Sequence, residues 1–155
     1  MSQAALVLPP GLRAQIAAEA QAALPNECCG LIEGIREGGK VRATALHPTA
    51  NLASDPAAGF EIDPAVHLRL RCRLRGTGQE IIGCYHSHPN GRALPSERDR
   101  AAGCEAGFVW IIAAVAGEAT LAAYEGPSFS PVALEADVSR CRIDEASGQG
   151  GGPAG

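Results

Sequence analysis

Residues 83–99 read GCYHSHPNGRALPSERD, and two readings compete for them. The preceding QEIIGC is an apolar run of strand character, so the spacing predicts a strand through His88. Side chains two apart in a strand share a face, which lets His86 and His88 reach one point in space. Pro89 to Pro95 is loop chemistry, and Ser96 opens a helix predicted to run to Glu105. On the plain reading, Ser96 and Asp99 form a capping box and only satisfy N–H groups at the helix start. On the functional reading, the Asp99 carboxylate joins the two imidazoles. Three protein ligands leave one corner of a tetrahedral zinc open, the arrangement of a catalytic rather than a structural site. Iron and manganese accept the same donors.

Working outward, PGLRAQIAAEAQAAL (10–24) is an amphipathic helix with Leu12, Ile16, Ala20 and Ala23 at helical spacing, stopped by Pro25. ECCGLIEGI (27–35) and KVRATALHP (40–48) read as strands joined at Gly38-Gly39. Residues 49–59 are loop. Residues 65–75 alternate Leu and Arg like a strand, yet Asp63-Pro64 is a helix start and Gly76 a helix stop. A helix is the preferred reading. FVWIIAAVA (108–116) fits a strand buried on both faces, and TLAAYEG (120–126) and Ser130–Leu134 read as further strands. After Ala136 the pattern is lost, and SGQGGGPAG has the composition of a flexible tail. The division expected is therefore a domain over 1–136 and a Gly-rich tail over 137–155. Helices and strands mix without a βαβ rhythm, so the fold class is α/β (α+β), a mixed sheet flanked by helices.

The 155 residues suit one domain, with 46% hydrophobic and 19% charged residues. A net charge of −4 gives no overall pull towards nucleic acid. No apolar run approaches the ~20 residues that cross a bilayer, so no membrane partner is expected. Six cysteines at 28, 29, 72, 84, 104 and 141 show no C-x-x-C spacing. Without an export signal they read as reduced thiols in the cytoplasm. Cys29 reads as a small buried hydrophobe, and Cys84, in alternation with His86, as a neighbour of the site. His47 and His67 lack partners at ligand spacing. Arg69, Arg71, Arg73 and Arg75 read as a solvated face or a basic patch for an acidic protein surface.

Three elements together are more specific: Pro25, Glu27, Cys29 and Gly30 as P-x-E-x-C-G; Gly83, His86, Ser87, His88 and Pro89 as G-x-x-H-S-H-P; then Ser96 and Asp99 as S-x-x-D. This set resembles the signature of the JAMM (MPN-type) zinc metalloproteases, and the similarity runs from the first helix to about Ala136. FEIDP (60–64) also resembles the family's segment before its second helix. The resemblance implies a mixed sheet flanked by helices in a cytidine-deaminase-like arrangement. It implies zinc held by His86, His88 and Asp99. Glu27 then serves as the base that takes a proton from the attacking water and delivers it to the leaving amine, and Ser96 steadies the oxyanion. Ser87 and Pro89 remain structural, Ser87 on the face opposite the histidines.

The compact form is similar to the family's prokaryotic branch. That implies hydrolysis of the amide after the C-terminal Gly-Gly of a ubiquitin-like sulfur-carrier protein, releasing a residue, peptide or cysteine. Two alternatives stand beside it: an inactive scaffold or binding module of the same fold, and a RadC-like DNA-associated protein, whose motif differs at Ser87.

Overall fold

The computed structural model describes residues 5–103 and 105–137. In chain order these form β1 (Ala5–Val7), α1 (Pro10–Ala23), β2 (Cys29–Glu37), β3 (Lys40–Thr49), α2 (Pro64–Leu74), β4 (Glu80–His88), α3 (Glu97–Ala102), β5 (Val109–Ala116), β6 (Glu118–Glu125) and β7 (Ser130–Glu135). The tail expected from 137 onward lies outside the described residues except for Asp137, as do Cys104 and Cys141.

The expected mixed sheet flanked by helices is present, and it closes on itself in the order β1-β3-β2-β4-β5-β6-β7. The closing strand is β1, which runs parallel to both β3 and β7. A strand of three residues such as Ala5–Val7 is too short to show a period in the sequence. Closure satisfies backbone groups that would otherwise line two open edges.

Two apolar clusters flank the central strands. Ile16 and Ala20 of α1 pack with Ile32, Ile82, Tyr85 and Ile111. Leu70 of α2 packs with Leu31, Cys84, Trp110 and Ile112 on the other side. Neighbouring residues of β4 and β5 thus serve opposite clusters, so every residue from Ile81 to His88 and from Val109 to Val115 is buried. Gly83 lets these two parallel strands approach. A Cβ there would sit 2.0 Å from the Val109 carbonyl oxygen.

The ambiguous 65–75 segment is helix. Asp63 caps it by accepting from the Ala65 N–H, Pro64 occupies the first turn, and Gly76 follows in the left-handed region at φ 79°. The Leu/Arg alternation misled because Leu68 is on the exposed face, 63% accessible, while Leu70 is the buried anchor. The helix expected over 96–105 is shorter, ending at Ala102 with Gly103 at its C-cap.

Candidate metal centre

His86 and His88 leave β4 on one face, and their Nε2 atoms stand 3.0 Å apart. Asp99 meets both: Oδ1 is 3.1 Å from His86 Nε2, and Oδ2 is 3.2 Å from His88 Nε2. A tetrahedral ion with bonds of about 2.0–2.1 Å would space its ligands about 3.3 Å apart. The three observed separations therefore fit a common metal. All three side chains are buried.

The capping box is real as well. Ser96 Oγ accepts from the Asp99 N–H at 3.1 Å, and Asp99 Oδ2 accepts from the Ser96 N–H at 2.8 Å. The two readings of S-x-x-D are one structure, because the cap fixes the carboxylate that faces the histidines. Ser96 Oγ acts there as an acceptor, so its own hydroxyl proton remains available to a substrate. The loop before α3 is anchored where Tyr124 Oη donates to the Ala93 carbonyl at 2.7 Å.

The two imidazoles are held differently. His88 Nδ1 lies 2.8 Å from the Arg92 carbonyl oxygen, which makes it the protonated nitrogen and leaves Nε2 with its lone pair. Among the described residues, His86 Nδ1 has no hydrogen-bond partner. Its ring is held by packing instead, stacked on Phe60 with centroids 4.2 Å apart and edge-on to Trp110 at 5.9 Å. Burial lowers the His86 pKa, with Asp99 opposing. Burial also pulls His88 down, but the Asp99 and Arg92 contacts outweigh it and leave its pKa raised. Burial pushes Asp99 up, yet hydrogen bonds from His86 and His88 prevail and hold its carboxyl far below the usual range.

Glu27 arrives from a distant part of the chain. It sits in the turn before β2, with one side-chain ligand atom within 4.8 Å of those of His86 and His88. It is only 7% exposed. Burial raises its pKa to about 7, tempered by His88, reinforced by Asp99 and lowered again by Arg98. Two anchors place it. Ser87 Oγ accepts from the Cys28 N–H at 2.7 Å while the Ser87 N–H donates to the Cys28 carbonyl, tying β4 to the Glu27 corner. Asn51 Nδ2 donates to the Glu27 carbonyl at 3.1 Å and the Gly59 carbonyl at 2.9 Å. Ser87 thus serves the face opposite the histidines, as alternation required.

Of the remaining residues singled out in the sequence, Cys29 stands opposite His86 across the β2–β4 pair and Cys84 lies close enough to feel the Asp99 charge, while His47 and His67 are paired elsewhere. Cys29 is buried, with Sγ against Thr49. Cys84 packs in the α2-side cluster. His47 pairs with Glu33 at 2.7 Å and His67 with Arg71 at 2.8 Å. Arg71 also binds Glu105. Phe60, Asn51 and Arg98 had no assigned role in the sequence. All three border or brace a cleft of about 400 Å³ over the metal centre, whose walls include Glu27, Phe60, Ser96, Arg98, Asp99 and Trp110.

Residues 9–125 match the family model described as prokaryotic homologs of the JAB domain. The chain belongs to this prokaryotic JAB family. Among curated relatives, the desampylase of Haloferax volcanii is 31% identical over 110 residues, spanning 71% of this chain and 78% of the relative. The probable TtuB-protein conjugate cleaving protease of Thermus thermophilus is 35% identical over 94 residues, 61% of this chain and 60% of the relative. A solution structure of a protein from Desulfitobacterium hafniense superposes with a TM-score of 0.73 at 25% identity, covering 84% of this chain and 92% of that one. These relatives bear out the family, the fold and the JAMM-type hydrolase class expected for this JAB domain, and they do not favour the scaffold or DNA-associated alternatives. No helix among the described residues is long and apolar enough to cross a membrane.

Proposed function

We propose that this JAB domain is a zinc peptidase cutting the amide bond after the C-terminal Gly-Gly of a ubiquitin-like sulfur-carrier protein, with His86, His88 and Asp99 as ligands and Glu27 and Ser96 as catalytic groups. The observation that carries it is the convergence of two Nε2 atoms and one carboxylate at 3.0–3.2 Å, with a second buried carboxylate held back within 4.8 Å. The nearer acid suits a ligand. Glu27 forms no ion pair with either histidine among the described residues and suits a base. Zinc in this site would polarise the scissile carbonyl and acidify the attacking water.

Glu27 takes the proton of that water as the new C–O bond forms. Ser96 donates its hydroxyl hydrogen to the oxygen on which charge develops. Glu27 then passes the proton to the leaving nitrogen as the C–N bond breaks, so one water is consumed and a carboxylate and an amine are released. In the metal-free site burial brings the Glu27 pKa to about 7, so the pocket tolerates this carboxyl in its protonated form near neutrality. A cleft of about 400 Å³ admits an extended tail and not a folded body, and glycine lets a backbone come close to the centre. The conjugate-cleaving relatives support a ubiquitin-like partner. The free thiols at Cys28, Cys29, Cys72 and Cys84 suit a cytoplasmic setting.

The test is to incubate the zinc-loaded protein with a ubiquitin-like carrier extended beyond Gly-Gly and weigh the products. The expected mass is that of the carrier ending in Gly-Gly. An unchanged substrate, or a cut elsewhere, would overturn the assignment.

A further inference from the structure

The charged groups on the cleft walls are carboxylates with one exception. Among the described residues, Arg98 is the only cation lining the space over the metal centre. It occupies one of the two variable positions inside S-x-x-D, directly before Asp99, and its side chain is exposed. Among the described residues no carboxylate lies within ion-pairing distance of it. One contact orients it, since Nη1 donates to the Ala58 carbonyl at 3.3 Å. The guanidinium then lies over Gly59, where a Cβ would come within 2.5 Å of Nη1 and 3.3 Å of Cζ. Gly59 is therefore a seat for this cation, and Asn51 fixes the seat by binding the Gly59 carbonyl. Of the five guanidinium N–H groups, one is engaged. A planar fork of donors is left facing the cleft, beyond the distant charge effect of Arg98 on Glu27.

We propose that Arg98 reads the free α-carboxylate of the residue that leaves, so that the preferred substrate is a carrier tail extended by a terminal amino acid rather than one joined to an internal lysine. This rests on the hydrolase reading above. A guanidinium recognises a carboxylate in bidentate fashion. An amino acid released from a Gly-Gly tail carries that group two bonds from the nitrogen that Glu27 protonates. The amine of an internal lysine side chain has no carboxylate nearby. Arg98 is thus a specificity-determining residue that touches the leaving group, separate from the groups that move protons.

The test compares a ubiquitin-like carrier ending in Gly-Gly-Ala as the free acid with the same carrier ending in the carboxamide. The wild-type zinc-loaded protein should favour the acid by about 10- to 100-fold in kcat/KM, mostly through KM. Arg98→Ala should bring the acid down to the level of the amide, and Arg98→Lys should restore part of the preference. Equal cleavage of both substrates by the wild type overturns the proposal. So does an Arg98→Ala variant that slows both alike, which would make Arg98 a brace for the Gly59 loop. If the wild type cleaves neither, the hydrolase reading fails, and binding still decides this inference. Trp110 is the only tryptophan and lines the same cleft. Its fluorescence should register short Gly-Gly-Ala peptides on Glu27→Gln, with the acid held more tightly than the amide. Acid and amide bound alike would contradict it.

Discussion

The two walls of the cleft are built in opposite ways. One wall is local: His86, His88, Ser96 and Asp99 fall within fourteen residues on a strand, a loop and one helical turn. The other is assembled from afar: Glu27 from the corner before β2, Phe60 and Gly59 from the 50–63 connection, held by Asn51 and Ser87. The local wall supplies all three metal donors and takes from the remote wall only the Phe60 ring packed on His86. The remote wall supplies the proton carrier and depends on tethers. Chemistry and metal affinity should therefore be separable by mutation.

The largest effect should come from the local wall. His86→Ala, His88→Ala and Asp99→Ala should each lose bound zinc and lower cleavage by more than about 10³-fold, as measured by elemental analysis beside turnover. A variant that keeps both would remove that residue from the ligand set. Ser96→Ala should retain zinc and fall about 10²- to 10³-fold in kcat. If zinc is lost too, the capping role of Ser96 in placing Asp99 outweighs its hydroxyl's role towards substrate.

The tether between the walls comes next. Ser87→Ala removes the acceptor for the Cys28 N–H and should cost about 1–3 kcal/mol of stability by denaturant titration. Zinc should stay bound while kcat falls, since the histidines keep their strand and Glu27 loses its tie. A loss of zinc with unchanged kcat per bound metal would invert the comparison.

The last effect is one of linkage, read in stability and not in turnover. Glu27 has its pKa raised from 4.5 to about 7 by burial. Between those values the folded metal-free protein holds a proton that the unfolded chain has lost, so its stability falls as pH rises through this window. Glu27→Gln removes that slope. The metal-free variant should match the wild type below pH ~4.5 and exceed it by about 3 kcal/mol above pH ~7. Parallel stability curves for the two proteins would show that Glu27 is not buried as described.

This contrast also explains what could be read from the sequence. The local wall was legible because strand alternation and a capping box are short-range rules that act on neighbouring residues. Even the competition between cap and ligand at Asp99 dissolved into one geometry, with Oδ2 serving both partners. Glu27 was legible only through family resemblance, since an acid in a turn has no local signature of burial. Phe60, Asn51 and Arg98 were missed because their roles depend on contacts to His86, to Glu27 and Gly59, and to the Ala58 carbonyl, which no periodicity encodes. The closing strand β1 was missed for a different reason. Three residues show no period, and their place is set by β3 and β7.

The separation of metal binding from proton transfer is tested most directly by measuring zinc content and carrier cleavage together in Glu27→Gln. About one zinc per chain should remain, with cleavage lowered about 10²- to 10⁴-fold. Wild-type turnover in that variant, or zinc lost along with activity, would contradict the account.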